Sequence, residues 1–110
     1  MKRAKEKVRR LSKEEVFGII LNLNRVAILD LLYEQKGISW SMFRRKLGIS
    51  KGQLNYHLKK LVETGLVVKK TPKANRPIYE LTPAGIAVTK LSKRIRQAIR
   101  EAIMLTESGR

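Results

Sequence analysis

A chain of 110 residues has room for one modest hydrophobic core, so we expect one fold that carries one kind of site. Its 25 Lys and Arg against 9 Asp and Glu give a formal net charge of +16, which favours a polyanionic partner such as DNA, RNA or an anionic membrane surface. The absence of cysteine excludes disulfides, thiolate nucleophiles and thiolate metal ligands, and it fits a reducing cytoplasm.

The chain begins with a basic segment, and we expect an N-terminal arm over residues 1–11. This segment has the charge of the first part of a secretory signal, but it continues into LSKEE instead of an apolar core, and no later stretch reaches transmembrane length. The sequence therefore predicts no membrane partner and a cytoplasmic, nucleoid-associated protein.

Helix signals follow at once. Ser12, with Glu15 three residues later, predicts a capping box that opens a short helix, and Asn24 is a candidate cap for the next one. From residue 25 to residue 35 apolar residues recur at helical spacing, and Gly37 stands where a C-cap glycine is expected. This segment is the predicted first helix of the domain proper.

Two further helices are predicted close together. Ser39 caps a short second helix that ends at Gly48, and Ser50 caps a third helix that runs to about Thr64 and stops at Gly65. Two helices joined by a tight turn form a helix-turn-helix candidate. Leu54, Leu58, Leu61 and Val62 are predicted to share the inner face of the third helix. The outer face is predicted to carry Gly52, Gln53, Tyr56, Lys59, Lys60 and Glu63, with Asn55 at the border.

The segment LVVKKTPKANRPIYEL predicts a β-hairpin with a basic tip, because β-branched residues flank a centre rich in Lys, Pro and Asn. Its second strand should begin at Pro77 or lie at a sheet edge, since proline lacks an amide donor. Thr82 and Pro83 then predict the start of a long helix. Apolar residues recur in that helix at alternating spacings of four and three, as in a heptad seam: Ala84, Val88, Leu91, Ile95, Ala98, Ala102 and Leu105.

This order of elements resembles MarR-like and ArsR-like winged-helix transcription regulators, especially small archaeal ones. Residues 50–67 (SKGQLNYHLKKLVETGLV) and 79–85 (YELTPAG) carry the resemblance, which covers roughly residues 25–85. The predicted fold class is mainly α with a small β-hairpin wing (α+β). We expect a winged helix-turn-helix domain with an extra N-terminal helix over residues 12–85, and a C-terminal dimerisation helix over residues 82–110.

The resemblance implies that the third helix enters the major groove and that the hairpin lies along the neighbouring backbone or minor groove. Gln53, Asn55 and Tyr56 are the predicted base-reading residues, because Gln and Asn can pair with adenine there. An alternative for Tyr56 is packing against the hairpin. Predicted backbone contacts are Ser50, Lys51, Lys59, Lys60, Arg44 and Arg45. Predicted wing contacts are Lys69, Lys70, Lys73 and Arg76, which lie in a stretch almost without acids; the alternative is a merely solvated hairpin.

His57 is the only histidine of the chain. A single histidine without cysteine or a nearby carboxylate cluster cannot build a usual metal site or catalytic triad, so we expect a packing or phosphate-facing role. No catalytic residue, metal or cofactor is predicted.

The last helix also indicates dimerisation. Beyond Ile95 it outruns what so small a domain can cover, so its apolar seam needs a partner, and a second copy is the simplest one. The predicted interface is Val88, Leu91, Ile95, Ala98, Ala102 and Leu105, with Phe17, Ile20 and Leu21 of the N-terminal helix as candidates to join it.

The sequence thus predicts a homodimer that binds double-stranded DNA sequence-specifically and regulates transcription, with repression expected over activation. An architectural, nucleoid-type DNA binder is the alternative, since extreme charge and a basic arm fit it too. RNA binding is disfavoured, because aromatic residues are only 5% of the chain and it therefore lacks the stacking platform of RNA-binding modules. An enzyme would need a nucleophile–base pair, a glycine-rich phosphate loop or metal spacing. No effector site is evident, and we expect a constitutive binder.

Overall fold

The computed structural model describes residues 10–72 and 76–108, and its elements follow the predicted order with one addition. They are α1 (Lys13–Ile20), α2 (Leu23–Glu34), β1 (Ile38–Ser39), α3 (Trp40–Leu47), α4 (Lys51–Glu63), β2 (Val67–Lys70), β3 (Ile78–Leu81) and α5 (Pro83–Ser108). The predicted α+β class is confirmed, and so is the long C-terminal helix. Most of the basic arm and Lys73 of the wing lie outside the described residues.

The caps of the first two helices match the prediction only in part. The capping box of α1 is present: Ser12 Oγ accepts from the amide of Glu15, and Glu15 Oε1 accepts from the amide of Ser12. For α2 the prediction of Asn24 is wrong, because Asn22 Oδ1 accepts from the amide of Arg25 at 3.0 Å. With α1 ending at Ile20, the chain turns within two residues and α2 starts earlier than its apolar pattern indicated.

The end of α2 also differs from the prediction. The helix ends at Glu34 and its C-cap residue, Gln35, is already extended, so Gly37 is not the cap. Gly37 has a φ of 75°, a left-handed conformation that suits glycine, and it leads the chain into β1. The other two glycine stops are confirmed, since Gly48 and Gly65 have φ values of 67° and 81° after α3 and α4.

A short strand, β1, completes a three-stranded antiparallel sheet in the order β1-β3-β2. Ile38 pairs with Tyr79, and Val67 pairs with Leu81. Because β1 covers the outer side of β3, the strand after Pro77 is central and not at an edge. Of the two alternatives for Pro77, the start of the strand is therefore the correct one, since β3 begins at the next residue.

The core lies where α2, α3 and α4 meet the inner face of the sheet. Its fully or almost fully buried side chains are Ile19, Ile28, Leu29, Leu32, Ile38, Phe43, Leu54, Leu58, Leu61, Leu66, Val67 and Tyr79. Val62 was predicted to share the inner face of α4, but it is exposed at the margin of that face. Within the described ranges no single helix is long and apolar enough to span a membrane, although α1 and α2, bent by 86° at their junction, meet the length and composition criteria as a pair.

Helix α5 has 26 residues, which corresponds to roughly 39 Å, and only its first half packs on the domain. Thr89 and Ser92 are buried, and Arg96 makes two hydrogen bonds of 2.9 Å to the carboxylate of Asp30 in α2. From residue 97 to residue 107 every side chain is exposed. The helix therefore leaves the domain after its contact with α2, and the described chain measures 59 Å along its longest axis.

The start of α5 is fixed by a close contact with the turn after α4. Thr82 Oγ1 accepts from the amide of Gly85, which confirms the predicted cap, and donates to the carbonyl oxygen of Gly65. The amide of Thr82 donates to the carbonyl oxygen of Leu66. A Cβ atom on Gly85 would overlap with that same oxygen, so the position has no room for a side chain.

We expect Gly85→Ala to lower the free energy of unfolding by roughly 2–3 kcal/mol, because the new methyl group must push the backbone of Leu66 away. The matched control is Gly18→Ala in α1, where a Cβ atom meets nothing within 4 Å. That change should stabilise the protein by about 0.5–1 kcal/mol, as alanine replaces glycine inside a helix. Urea unfolding of the two variants measures both effects, and an equal response would contradict the close contact.

Candidate nucleic-acid interface

The outer face of α4 is set by its buried row of leucines. Ser50 Oγ accepts from the amide of Gln53 and starts the helix, and Leu54, Leu58 and Leu61 point into the core. Since these positions recur every three or four residues, the opposite side of the helix must face solvent. The residues exposed there are Gly52, Gln53, Asn55, Tyr56, Lys59, Lys60 and Glu63, as predicted from the sequence, together with Lys51 at the start of the helix.

Two grooves flank this face. Between α4 and the hairpin lies a groove of about 320 Å³, and Asn55, Lys59 and Glu63 line its helix side while Lys69 and Tyr79 line its hairpin side. Between α4 and the first two helices lies a second groove, whose lining includes Arg25 and Lys60. Lys59 and Lys60 are neighbours in sequence, yet they line different grooves on opposite sides of the outer face.

Strand alternation divides the two lysines of β2. Lys69 pairs in register with Tyr79 and shares its face of the hairpin, which is the face toward α4. Lys70 lies on the opposite face, where its Nζ atom is 2.9 Å from Glu80 Oε1. The expectation that the wing bases stand without a nearby acid is therefore wrong for Lys70. Arg76, at the other end of the loop, is exposed.

Asn55 makes a contact that the sequence did not indicate. The indole Nε1 of Trp40 in α3 donates a hydrogen bond of 2.8 Å to Asn55 Oδ1. The guanidinium of Arg44 lies 5.7 Å from the centre of the Trp40 ring, and Arg44 is half-buried. Of the two arginines predicted to meet the DNA backbone from α3, Arg45 is the exposed one.

Tyr56 is 53% exposed, and its ring lies beside α2 instead of the hairpin. The Arg25 guanidinium is 5.8 Å from the ring centre, and His57 meets the ring edge-on at 5.3 Å. The alternative of packing on the hairpin is therefore wrong. Arg25 is a candidate that sequence reasoning missed, because it reaches this face from the first turn of α2 and belongs to no local motif.

His57 is 6% exposed and accepts a hydrogen bond of 3.1 Å at Nδ1 from Arg25 Nε. Its position fits the packing role that was predicted and not a phosphate-facing one. An arginine is always a donor, so this bond requires an unprotonated Nδ1. Burial and the Arg25 charge both lower the pKa of His57. Among residues 10–72 and 76–108, no group of three or more His, Asp or Glu side chains could hold a metal ion.

Together, the helix-turn-helix of α3 and α4, the hairpin and the long last helix define a winged-helix protein. The fold is similar to that of MepR from Staphylococcus aureus, a transcription regulator of the multidrug efflux pump MepA, with a TM-score of 0.73 at 20% identity over 86% of this chain and 70% of that one. A transcriptional regulator homologue from Pyrococcus horikoshii OT3 matches with a TM-score of 0.72 at 23% identity over 82% and 94% of the two chains. The complex of S. aureus MepR with DNA matches with a TM-score of 0.67 at 15% identity over 86% and 80%. These likenesses confirm the predicted winged helix-turn-helix fold.

A family model described as a domain of unknown function, DUF7347, matches residues 13–92, and the chain belongs to that family. The match runs from the start of α1 to the first half of α5 and so includes the helix-turn-helix and the wing. No curated protein matches the chain.

The His57 contact predicts a pH-dependent stability. Because its pKa is lowered in the folded state, the unfolded chain binds the proton more tightly, so stability is fully present above about pH 6.5 and is lost as the pH falls from there toward the folded pKa. We expect the Tm to fall between about pH 7.5 and about pH 5.5, and to fall less in His57→Gln, whose side chain keeps an acceptor for Arg25. Calorimetry at both pH values measures the difference. Identical losses in the two proteins would contradict a buried neutral His57.

Proposed function

We propose that this protein binds double-stranded DNA as a homodimer and regulates transcription, with repression as the expected outcome. The observation that supports this most is the outer face of α4, which presents amide and phenol groups between two basic edges. A helix of this size fits the major groove, and amides there can distinguish bases while lysines neutralise phosphates. Among proteins of similar fold, MepR is known in complex with DNA.

The mixture of groups on α4 favours sequence-specific binding over architectural binding. A protein that only coats DNA needs charge, whereas Gln53, Asn55 and Tyr56 add uncharged hydrogen-bonding groups to the outer face. We propose Gln53, Asn55 and Tyr56 as base contacts. Proposed phosphate contacts at the edges are Ser50, Lys51, Lys59, Lys60, Arg45, Lys69, Lys73 and Arg76, with Arg44 and Lys70 in minor roles and Arg25 as an addition.

The homodimer is supported by the outer half of α5. Ile99 and Ile103 are 49% and 52% exposed, and Leu105 is exposed further along the same helix. Phe17 and Leu21 of α1 are exposed too, and α1 packs against α5, so α1 is a candidate to enlarge the apolar surface of α5. A monomer rarely leaves so much apolar side chain in water, and a second copy presents the same surface in return.

This dimer surface differs in detail from the heptad seam. Val88, Leu91 and Ile95 are half-buried, while Ala98, Ala102 and Leu105 are exposed. Ile99 and Ile103 follow Ala98 and Ala102 directly and offer larger side chains to a partner. Ile20, by contrast, is buried. We therefore propose an interface formed by the predicted seam together with Ile99, Ile103, Phe17 and Leu21.

A two-fold dimer would place two α4 helices on successive major-groove faces of a pseudo-palindromic site. We keep the division into a basic arm (residues 1–11), a DNA-binding domain (residues 12–85) and a dimerisation helix (residues 82–110) as part of this proposal. A protein with this function acts where the chromosome is, so we place it in the cytoplasm on the nucleoid, as a constitutive binder without an effector.

We expect Gln53→Ala to lower the affinity for a selected DNA sequence by about 5- to 100-fold, because the lost contact is with a particular base. Its affinity for random duplexes should change little. Lys69→Ala should lower the affinity for all DNA sequences similarly, and it should reduce the slope of log affinity against log salt concentration by about 1. Lys70→Ala is the matched control and should do less, since Lys70 faces away and already pairs with Glu80. Fluorescence anisotropy at several salt concentrations measures all three. Equal affinity of the unchanged protein for selected and random duplexes would establish the architectural alternative.

For the dimer we expect Ile99→Glu to raise the dimer Kd at least ~100-fold, because it places an unpaired charge in an apolar interface. The control is Lys90→Glu, which changes an exposed residue on another side of the same helix. Sedimentation equilibrium measures both dissociation constants. A monomeric unchanged protein, or equal effects of the two substitutions, would refute this interface.

A further inference from the structure

The hydrogen bond between Trp40 and Asn55 fixes the orientation of the Asn55 side chain. The indole nitrogen of tryptophan can only donate, so the amide atom that it meets must be the oxygen Oδ1. The amide group is planar, and the nitrogen Nδ2 therefore lies on the side turned away from Trp40. Asn55 itself is exposed on the outer face of α4, so its donor end is the one available for a partner.

Trp40 is suited to hold this orientation. It is the first residue of α3, directly after the N-cap Ser39, whose Oγ accepts from the amide of Met42. Phe43 follows three residues after Trp40 on the same side of α3 and is fully buried. The Arg44 guanidinium lies near the indole ring. Trp40 is half-buried and packs against the core, so the packing of α3 directs its N–H group across the turn to α4.

This orientation changes what Asn55 can read. A paired contact with adenine needs an asparagine oxygen that accepts from N6 and a nitrogen that donates to N7. With Oδ1 bonded to Trp40, the amide offers donors outward, and guanine presents two acceptors, N7 and O6, at its major-groove edge. The donor groups of adenine and cytosine have no matching acceptor on that side of Asn55.

We propose that Trp40 is a positioning residue that makes Asn55 a reader of guanine instead of adenine. The inference rests on the proposed function, since it assigns a base preference to one residue of the DNA-binding face. In this proposal Trp40 contacts no base; it acts through the orientation that its hydrogen bond gives to the Asn55 amide. A bond that only joined α3 to α4 would contribute to stability without any effect on base preference.

The first test is Trp40→Phe, which removes the donor and keeps an aromatic ring. Bound sequences are selected from random DNA with the unchanged protein and with the variant. We expect the unchanged protein to prefer guanine at the base pair that becomes degenerate in Asn55→Ala. In Trp40→Phe the guanine-over-adenine ratio at that pair should fall by about 5- to 100-fold, because the amide is no longer held and can turn Oδ1 toward adenine N6. In the Asn55→Ala background, Trp40→Phe should leave the ratio unchanged.

A second test does not depend on the folding of the Trp40 variant. Replacing the guanine by 7-deazaguanine in the selected site removes the N7 acceptor. This change should lower the affinity of the unchanged protein for the site by about 5-fold or more, and it should not change the affinity of Asn55→Ala. The bond itself is checked in the protein without DNA, where Asn55→Ala should shift the indole N–H resonance of the single Trp.

The outcomes separate the inference from the function on which it rests. A protein that selects a sequence but keeps the same guanine preference in Trp40→Phe, or tolerates 7-deazaguanine at every position, overturns the role of Trp40 and leaves specific binding intact. A uniform loss of affinity with a lowered Tm in Trp40→Phe would show a purely structural bond and also overturns it. A protein that selects no sequence at all refutes the proposed function and the inference with it.

Discussion

The row of buried leucines on α4 is the constraint on which the interface depends. Leu54, Leu58 and Leu61 are each almost completely buried, and only one orientation of the helix about its own axis buries all three. In that orientation Tyr56 lies toward α2, and Asn55 lies toward α3 and the wing. Sliding the pattern by one residue would turn the helix by about 100° and bury part of this face. The core thus decides which side chains can meet a ligand.

The number of basic side chains available to a ligand depends on which of them are already paired with acids, and not only on the composition of the chain. The chain carries a net charge of +16, yet Lys70 is paired with Glu80, and Arg96 is held by Asp30 on a different surface. Strand alternation alone separates Lys69, which lines the groove beside α4, from its neighbour. An exposed ion pair contributes little to stability, but it reduces the field that a phosphate would meet. The wing therefore offers less charge than its sequence indicates.

The sequence was sufficient for features that depend on neighbours along the chain. Ser12, Ser39 and Ser50 cap helices within three residues of themselves, and the left-handed glycines after α3 and α4 end them. The two-residue strand β1 had no pattern to reveal it, because its partner, β3, lies some forty positions away. The contacts Arg25–His57 and Trp40–Asn55 span 32 and 15 positions and follow from the packing of three helices. Candidate residues on α4 and the hairpin could be proposed from the sequence, whereas Arg25 and the orientations of Asn55 and Tyr56 could not.

Helix α2 links the two proposed surfaces. Its last turns hold α5 through Asp30, and its first turn carries Arg25 to the edge of α4. The residues of α5 beyond Arg96 form about three turns of exposed helix, which lack the stabilisation that tertiary packing gives to the first half. A second copy would order these turns, and it would set the angle at which α5 leaves Asp30. Val26, Ile28, Leu29 and Leu32 anchor α2 in the core, so in the proposed dimer the spacing of the two α4 helices would depend on how the α5 helices pack.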